Sequence, residues 1–195
     1  MSPLVKVRLP VLAAVLFFLA LTGVAVAAEG EKPPLSAAVG GGGGTPFAEP
    51  GMIAPDFTVL DVEGRPFHLA EEVSGRPVLL LFWSVFCDPC RAEMAALRKT
   101  QERYADRDLA VVAVAVDGEP LRSTIAGFAR QEGYTFRVLV DELDATDRWK
   151  VADAYGVAAM PTLLLLERGG KVLFRKEGKI SRDEIEKAVS SLPRI

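Results

Sequence analysis

The chain is poor in the residues that staple small proteins together or hold metals. Of its 195 residues only two are cysteines, and only one, His68, is a histidine. Two thiols cannot build the disulfide framework that replaces a hydrophobic core in small secreted domains, and with half of its residues apolar the chain has no need of one. A zinc site normally takes four nitrogen, sulfur or oxygen ligands, so a site here would have to borrow carboxylates or ligands from a second molecule. Basic residues do not dominate either. The 23 Lys and Arg are outnumbered by 26 Asp and Glu, and a net charge of −3 gives no sign of a nucleic-acid partner. No internal repeat is visible.

The two cysteines stand together in Cys87-Asp88-Pro89-Cys90, directly after the apolar run Val78 to Trp83 and before a helical stretch. Two thiols at this spacing at the start of a helix can close a small disulfide. Cys87 would sit where unpaired N–H groups and the positive end of the helix dipole stabilise a thiolate. Pro89 suits a first helical turn, where a missing N–H costs nothing. The chemistry expected is thiol–disulfide exchange, with Cys87 the exposed nucleophile and Cys90 the inner thiol that resolves the mixed disulfide. A structural staple is the other reading of the pair, although so short a loop removes little unfolded-state entropy.

The N-terminus differs from the rest. Lys6 and Arg8 precede an apolar stretch from Leu9 to Ala28, with no charge until Glu29. Residues 1–28 read as a secretory signal peptide, with Ala25-Val26-Ala27 as the cleavage pattern, or as an uncleaved membrane anchor. Either one places the remainder outside the cytoplasm, in the periplasm or at the outer face of the cytoplasmic membrane. Loss of residues 1–28 would remove Lys6 and Arg8 and no acid, taking the net charge from −3 to −5. Residues 29–50 turn to Pro, Ala and Gly, including Gly40 to Gly44. Such a segment reads as a flexible linker with a reach on the order of 25 Å. The glycine run is not a phosphate cradle, since no Lys-Ser/Thr or strand–helix pattern follows it.

Residues 51–195 are expected to form one domain. Phe57 to Leu60 and Pro66 to Leu69 form a hairpin around Glu63-Gly64. Val78 to Trp83 and Leu109 to Val116 are apolar throughout and suit strands covered on both faces. Helices are expected over Pro89–Tyr104, Pro120–Glu132 and Asp147–Tyr155, with a strand at Phe136–Val140. Trp149 and Tyr155 would pack in the core. Met160 to Leu166 and Lys171 to Phe174 flank the hairpin signal Arg168-Gly169-Gly170, and Ser181 opens a closing helix. His68, at a strand end, would be exposed or hydrogen-bonded. The pattern predicts a three-layer α/β sheet.

Trp83-Ser84-Val85-Phe86-Cys87-Asp88-Pro89-Cys90, followed by Met160-Pro161-Thr162, resembles the thioredoxin superfamily. More closely it is similar to the exported TlpA/ResA-type thiol-disulfide oxidoreductases, over roughly Gly51 to Leu192. The resemblance implies a thioredoxin-like fold, a central mixed sheet flanked by helices, with an N-terminal β-hairpin and a central αβ insertion from Asp117 to Val140. It implies a cis peptide at Met160-Pro161, whose backbone edge would pair with a partner's extended chain. Trp83, Phe86, Met160 and Pro161 would surround the substrate, with Trp83 chiefly a packing residue. Glu93, three residues beyond Cys90 on one helix, matches an acidic residue that takes part in proton transfer in ResA-like proteins. The strand position where thioredoxin buries an aspartate is Leu81 here. A solvated surface glutamate is the plainer reading of Glu93.

Three positions depart from the family pattern. Phe86 stands where the family usually has tryptophan or another aromatic, a mild change; Ala95 stands where a proline often kinks the active-site helix; and Asp88 sets a negative charge between the thiols. The resemblance implies an enzyme with no bound cofactor and no metal, taking electrons from a membrane thiol donor and reducing protein disulfides, an apocytochrome c among the candidates. Copper-handling or thiol-chaperone proteins of this fold are a second class, but the copper carriers use CxxxC and a later histidine. Peroxidases of peroxiredoxin type are a third, and they need a Thr-x-x-Cys that this chain lacks.

Overall fold

The computed structural model describes residues 48–192. The expected leader and most of the linker lie outside the described residues. Ala48, inside the stretch read as linker, is buried, and Gly51 N–H donates to the Val172 carbonyl at 2.8 Å, so the end of that stretch already packs on the domain.

Strands β1 (Thr58–Leu60) and β2 (Pro66–His68) pair antiparallel as a hairpin. Thr58 stands opposite His68, whose Nδ1 lies 2.8 Å from the threonine hydroxyl on the exposed face. The hairpin is tied down by Asp61. Its buried carboxylate accepts the Glu63 and Arg65 N–H groups and meets the guanidinium groups of Arg65 and Arg137. A short helix α1 (Leu69–Gly75), which the apolar spacing did not announce, follows with Leu69 and Val73 buried.

The main sheet holds β3 (Val78–Trp83), β4 (Ala110–Ala115), β5 (Arg137–Val140), β6 (Thr162–Leu166) and β7 (Val172–Glu177) in the order β5-β4-β3-β6-β7. β3, β4 and β5 run parallel; β6 and β7 run antiparallel to their neighbours. The unbroken apolar runs of β3 and β4 are explained by cover on both faces. Leu79, Leu81 and Trp83 point into one core with Val111, Ala113, Leu163 and Leu165. That face is covered by α2 (Asp88–Arg103), α3 (Arg122–Gln131) and α4 (Arg182–Ser190). Val78, Leu80 and Phe82 point the other way, against Val59 and Phe67 of the hairpin, α1, and the segment Val151 to Tyr155. Two layers of cover on one sheet make the three-layer α/β arrangement of a thioredoxin-like fold. The segment Asp117–Val140 supplies α3 and the edge strand β5.

Asp147 to Tyr155, expected as a helix, is a run of turns. Asp147 has φ +58°, which breaks a right-handed start. Backbone donors go to carboxylates instead: Trp149 N–H to Asp153 at 2.8 Å, and Val151 and Ala152 N–H to the buried Asp141 at 3.0 and 2.8 Å. Trp149 and Tyr155 still pack against one core cluster, as expected. At the other end, Ser181 caps α4 in a reciprocal capping box with Glu184. The Arg107 guanidinium donates to the Ser190 carbonyl at the end of that helix and to the Leu192 carbonyl just beyond it.

Candidate active site

The C-terminal ends of β3 and β4 and the N-terminal end of β6 meet at one edge of the sheet. Phe82 pairs with Thr162, so Trp83 and Pro161 stand side by side one step further on, and the chain turns from Trp83 into the cysteines there. Cys87 and Cys90 form a disulfide. Cys87 is the N-cap of α2, with Pro89 in the first turn, and its sulfur accepts the Cys90 N–H at 3.3 Å. The pair is unequal: Cys87 is half-buried, whereas Cys90 is buried against Met94 and Leu97. A partner can reach only the first sulfur.

The turn before Cys87 is held by a residue that sequence reasoning did not single out. Asp117, just past β4, accepts the Ser84 hydroxyl at 2.6 Å and the Val85 N–H at 3.1 Å. The Ser84 hydroxyl oxygen in turn accepts the Phe86 N–H at 3.1 Å, and its carbonyl accepts the Cys87 N–H at 3.1 Å. Four donors of a tight turn, the Ser84 hydroxyl and the N–H groups of Val85, Phe86 and Cys87, are thereby satisfied, which fixes where Cys87 stands. The available signal was an acid at the mouth of an apolar strand parallel to the one that carries the cysteines.

Around the disulfide the expected residues divide. Phe86 is 74% exposed and Met160 38%, so both offer apolar surface beside Cys87. Trp83 is wholly buried and packs against Phe128 with ring centroids 5.6 Å apart; in this conformation it lies beneath the site and a substrate cannot touch it. The Met160–Pro161 bond is cis, as the resemblance implies, with Pro161 buried and its carbonyl accepting the Gly178 N–H at 2.8 Å. Arg175 anchors the loop that leads to this bond by donating to the carbonyls of Tyr155 and Gly156 at 2.8 and 2.9 Å.

Glu93 is not a solvated surface group. It is 8% exposed, on the same helix as Cys90, and one oxygen accepts the Ile180 N–H at 3.2 Å. Burial pushes its carboxyl above the ordinary carboxylate range; the Ile180 N–H and the nearby Lys179 pull it back, and Glu184 adds to the upward shift. Asp88, in contrast, lies on the surface and pairs with Arg91, which offsets the charge it sets between the thiols. Helix α2 runs unbroken for 16 residues through Ala95, as the missing proline leads one to expect. Among the described residues no cluster of three His, Cys, Asp or Glu side chains is arranged to hold a metal.

The arrangement has one reachable sulfur at a helix N-terminus, a buried second sulfur, and a buried acid on the same helix. Known proteins agree with it. Residues 50–175 match the AhpC/TSA family. Thiol-disulfide oxidoreductase ResA of Geobacillus thermodenitrificans is 34% identical over 142 residues, which is 73% of this chain and 77% of that protein. Thioredoxin-like protein YneN of Bacillus subtilis is 36% identical over 137 residues, 70% of this chain and 76% of that one. A crystal structure described as thiol:disulfide interchange protein DsbE from Chlorobium tepidum superposes with a TM-score of 0.63 at 29% identity, covering 74% of this chain and 97% of the other. With its fold, its Cys87–Cys90 pair and these relatives in accord, the chain belongs to the thioredoxin-like AhpC/TSA family and is a thiol-disulfide oxidoreductase of the ResA type.

Proposed function

We propose that the chain works outside the cytoplasm as a reductase of protein disulfides, receives its electrons from a membrane thiol donor, and counts apocytochromes c among its substrates. The observation that carries this is the inequality of the two sulfurs: only Cys87 is open to a partner, and the helix N-terminus favours its thiolate. In the reduced protein the Cys87 thiolate attacks a partner disulfide, one partner thiolate leaves, and a mixed disulfide forms. Glu93 takes the proton from Cys90, whose sulfur then attacks Cys87. The second partner thiol is released, two electrons have passed to the partner, and the Cys87–Cys90 disulfide remains. The membrane donor resets the pair by the reverse exchange. Phe86 and Met160 supply the apolar contact to the partner, and the Met160 backbone the edge along which its chain lies. The leader-like Leu9 to Ala28 supports export, and if retained it would tether the domain through the glycine-rich linker.

The deciding measurement is the equilibrium potential of the Cys87–Cys90 pair against a thiol buffer. A value near that of thioredoxin, about −270 mV, is expected of a reductase; one near the oxidant range, about −120 mV, would reverse the direction of electron flow. Cys90→Ser should capture substrates as stable mixed disulfides on Cys87, and their sequences test the apocytochrome assignment.

A further inference from the structure

Three residues, Gly178-Lys179-Ile180, lead from β7 into α4 and touch the active site at both ends. Gly178 N–H donates to the Pro161 carbonyl at 2.8 Å, directly behind the Met160–Pro161 edge. Two residues later Ile180 N–H donates to the Glu93 carboxylate at 3.2 Å. Gly178 has φ +73°, the left-handed region that glycine enters without strain, and a side chain there would meet open space, so the requirement is one of backbone shape rather than room. Ile180 is buried in the same cluster as Cys90 and Met94. Beyond it the Ser181–Glu184 capping box fixes the entry to α4. A link this short, held at both ends, transmits a displacement rather than absorbing it.

We propose that Gly178–Ile180 is a positioning strap that couples occupancy of the Met160–Pro161 edge to Glu93. A partner chain lying along that edge shifts the Pro161 carbonyl, the Gly178 N–H follows, and the Ile180 N–H loosens its hold on the carboxylate. The proposal rests on the reading of Glu93 as the proton-transfer group. A buried carboxylate that loses a donor binds its proton more tightly, so docking makes Glu93 a stronger base at the stage when Cys90 must give up its proton. When the partner leaves, the donor returns and the proton is released. The charged and titratable groups facing Glu93 are Cys90 on its own helix, Lys179 on the strap and Glu184 on α4. Glu184 is held at about 2 by the Ser181 N–H, Lys176 and the Ser181 hydroxyl, so it stays ionised throughout and contributes a constant field. The strap is the part that can vary.

The test uses the full chain with Cys90→Ser and Cys87 capped in two ways: by a methylthio group, which cannot reach Met160, and by a mixed disulfide with a short cysteine-containing peptide, which can. The protonated Glu93 carboxyl is followed by its infrared band, assigned by its loss in Glu93→Gln, and titrated in both forms. The peptide-capped protein should titrate about one pH unit higher, a tenfold gain in proton affinity, and Gly178→Ala should erase the difference. Equal midpoints for the two caps, or a difference that survives Gly178→Ala, would overturn the strap. The unsubstituted comparison decides even if Gly178→Ala fails to fold. The reading beneath it fails separately: in the two-cysteine protein, Glu93→Gln would then leave the pH dependence of thiol reactivity unchanged.

Discussion

The two sulfurs of one disulfide, three residues apart, stand in opposite surroundings. Outward of Cys87 lie Phe86, Asp88 and Met160, all exposed and none contributing to a core cluster. Inward of Cys90 lie Met94, Leu97, Trp83 and Glu93, all buried. The difference teaches that partner recognition and reactivity are built from separate stocks of residues. The outward half can change with little cost to the fold, because its side chains have few neighbours to lose. The inward half cannot change without disturbing both the fold and the chemistry.

Met94→Ala tests the inward half most severely. Met94 is wholly buried, one residue from Glu93 and one helical turn from Cys90. Removing most of a packed side chain should cost about 2–5 kcal/mol, read from the denaturant midpoint of the oxidised protein. A loss under about 1 kcal/mol would mean that the helix settles into the gap, and the division between the halves would be softer than burial suggests.

Asp117→Ala sits between the halves. It leaves the Ser84 hydroxyl and Val85 N–H without their acceptor in a partly buried turn, at a cost of about 1–3 kcal/mol. Because the same turn places Cys87, the alkylation rate of the reduced Cys87 should fall as well. Unchanged reactivity with lowered stability would make Asp117 a fold residue and move the boundary outward by one turn. Phe86→Ala lies wholly on the outward side. It should shift stability by less than about 0.5 kcal/mol while raising the KM for a protein disulfide and leaving that for a small disulfide reagent unchanged.

How much of this was legible in the sequence follows the same division. The strand before the cysteines, the helix after them and the capped last helix all rest on local signals, namely a continuous apolar run, a proline in a first turn and a serine, Ser181, at the N-cap position. These were readable because neighbours in sequence decide them. Asp117 was not, because its role depends on the parallel pairing of β3 with β4, which brings residues 33 positions apart within 2.6 Å. Glu93 could be placed on the helix but not inside the protein, where the donor that meets its carboxylate is the N–H of Ile180, 87 positions away. The turn segment Asp147 to Tyr155 misled for a related reason. Its spacing is helical, but carboxylates from Asp141 and Asp153 take the backbone donors at its start, and apolar periodicity carries no record of that.

The smallest expected effect is the most specific to the inward half. The Glu93 carboxyl is raised by burial above its ordinary value of 4.5, so the folded protein keeps a proton that the unfolded chain has already released. Stability rises with pH only where the unfolded state binds more protons. Here the folded state binds more, so this group's contribution falls as pH climbs from about 4.5 through its higher folded value and is flat beyond. In Glu93→Gln an amide oxygen can still accept the Ile180 N–H, yet no charge forms. The variant should therefore lack this decline and gain on the parent protein across the same window, as denaturant midpoints measured from pH 4 upward would show. Parallel pH curves for the two proteins would mean that water reaches the carboxylate more freely than its burial indicates. Glu93 would then belong with Asp88 on the outward side, and Cys90 alone would mark the inner half of the site.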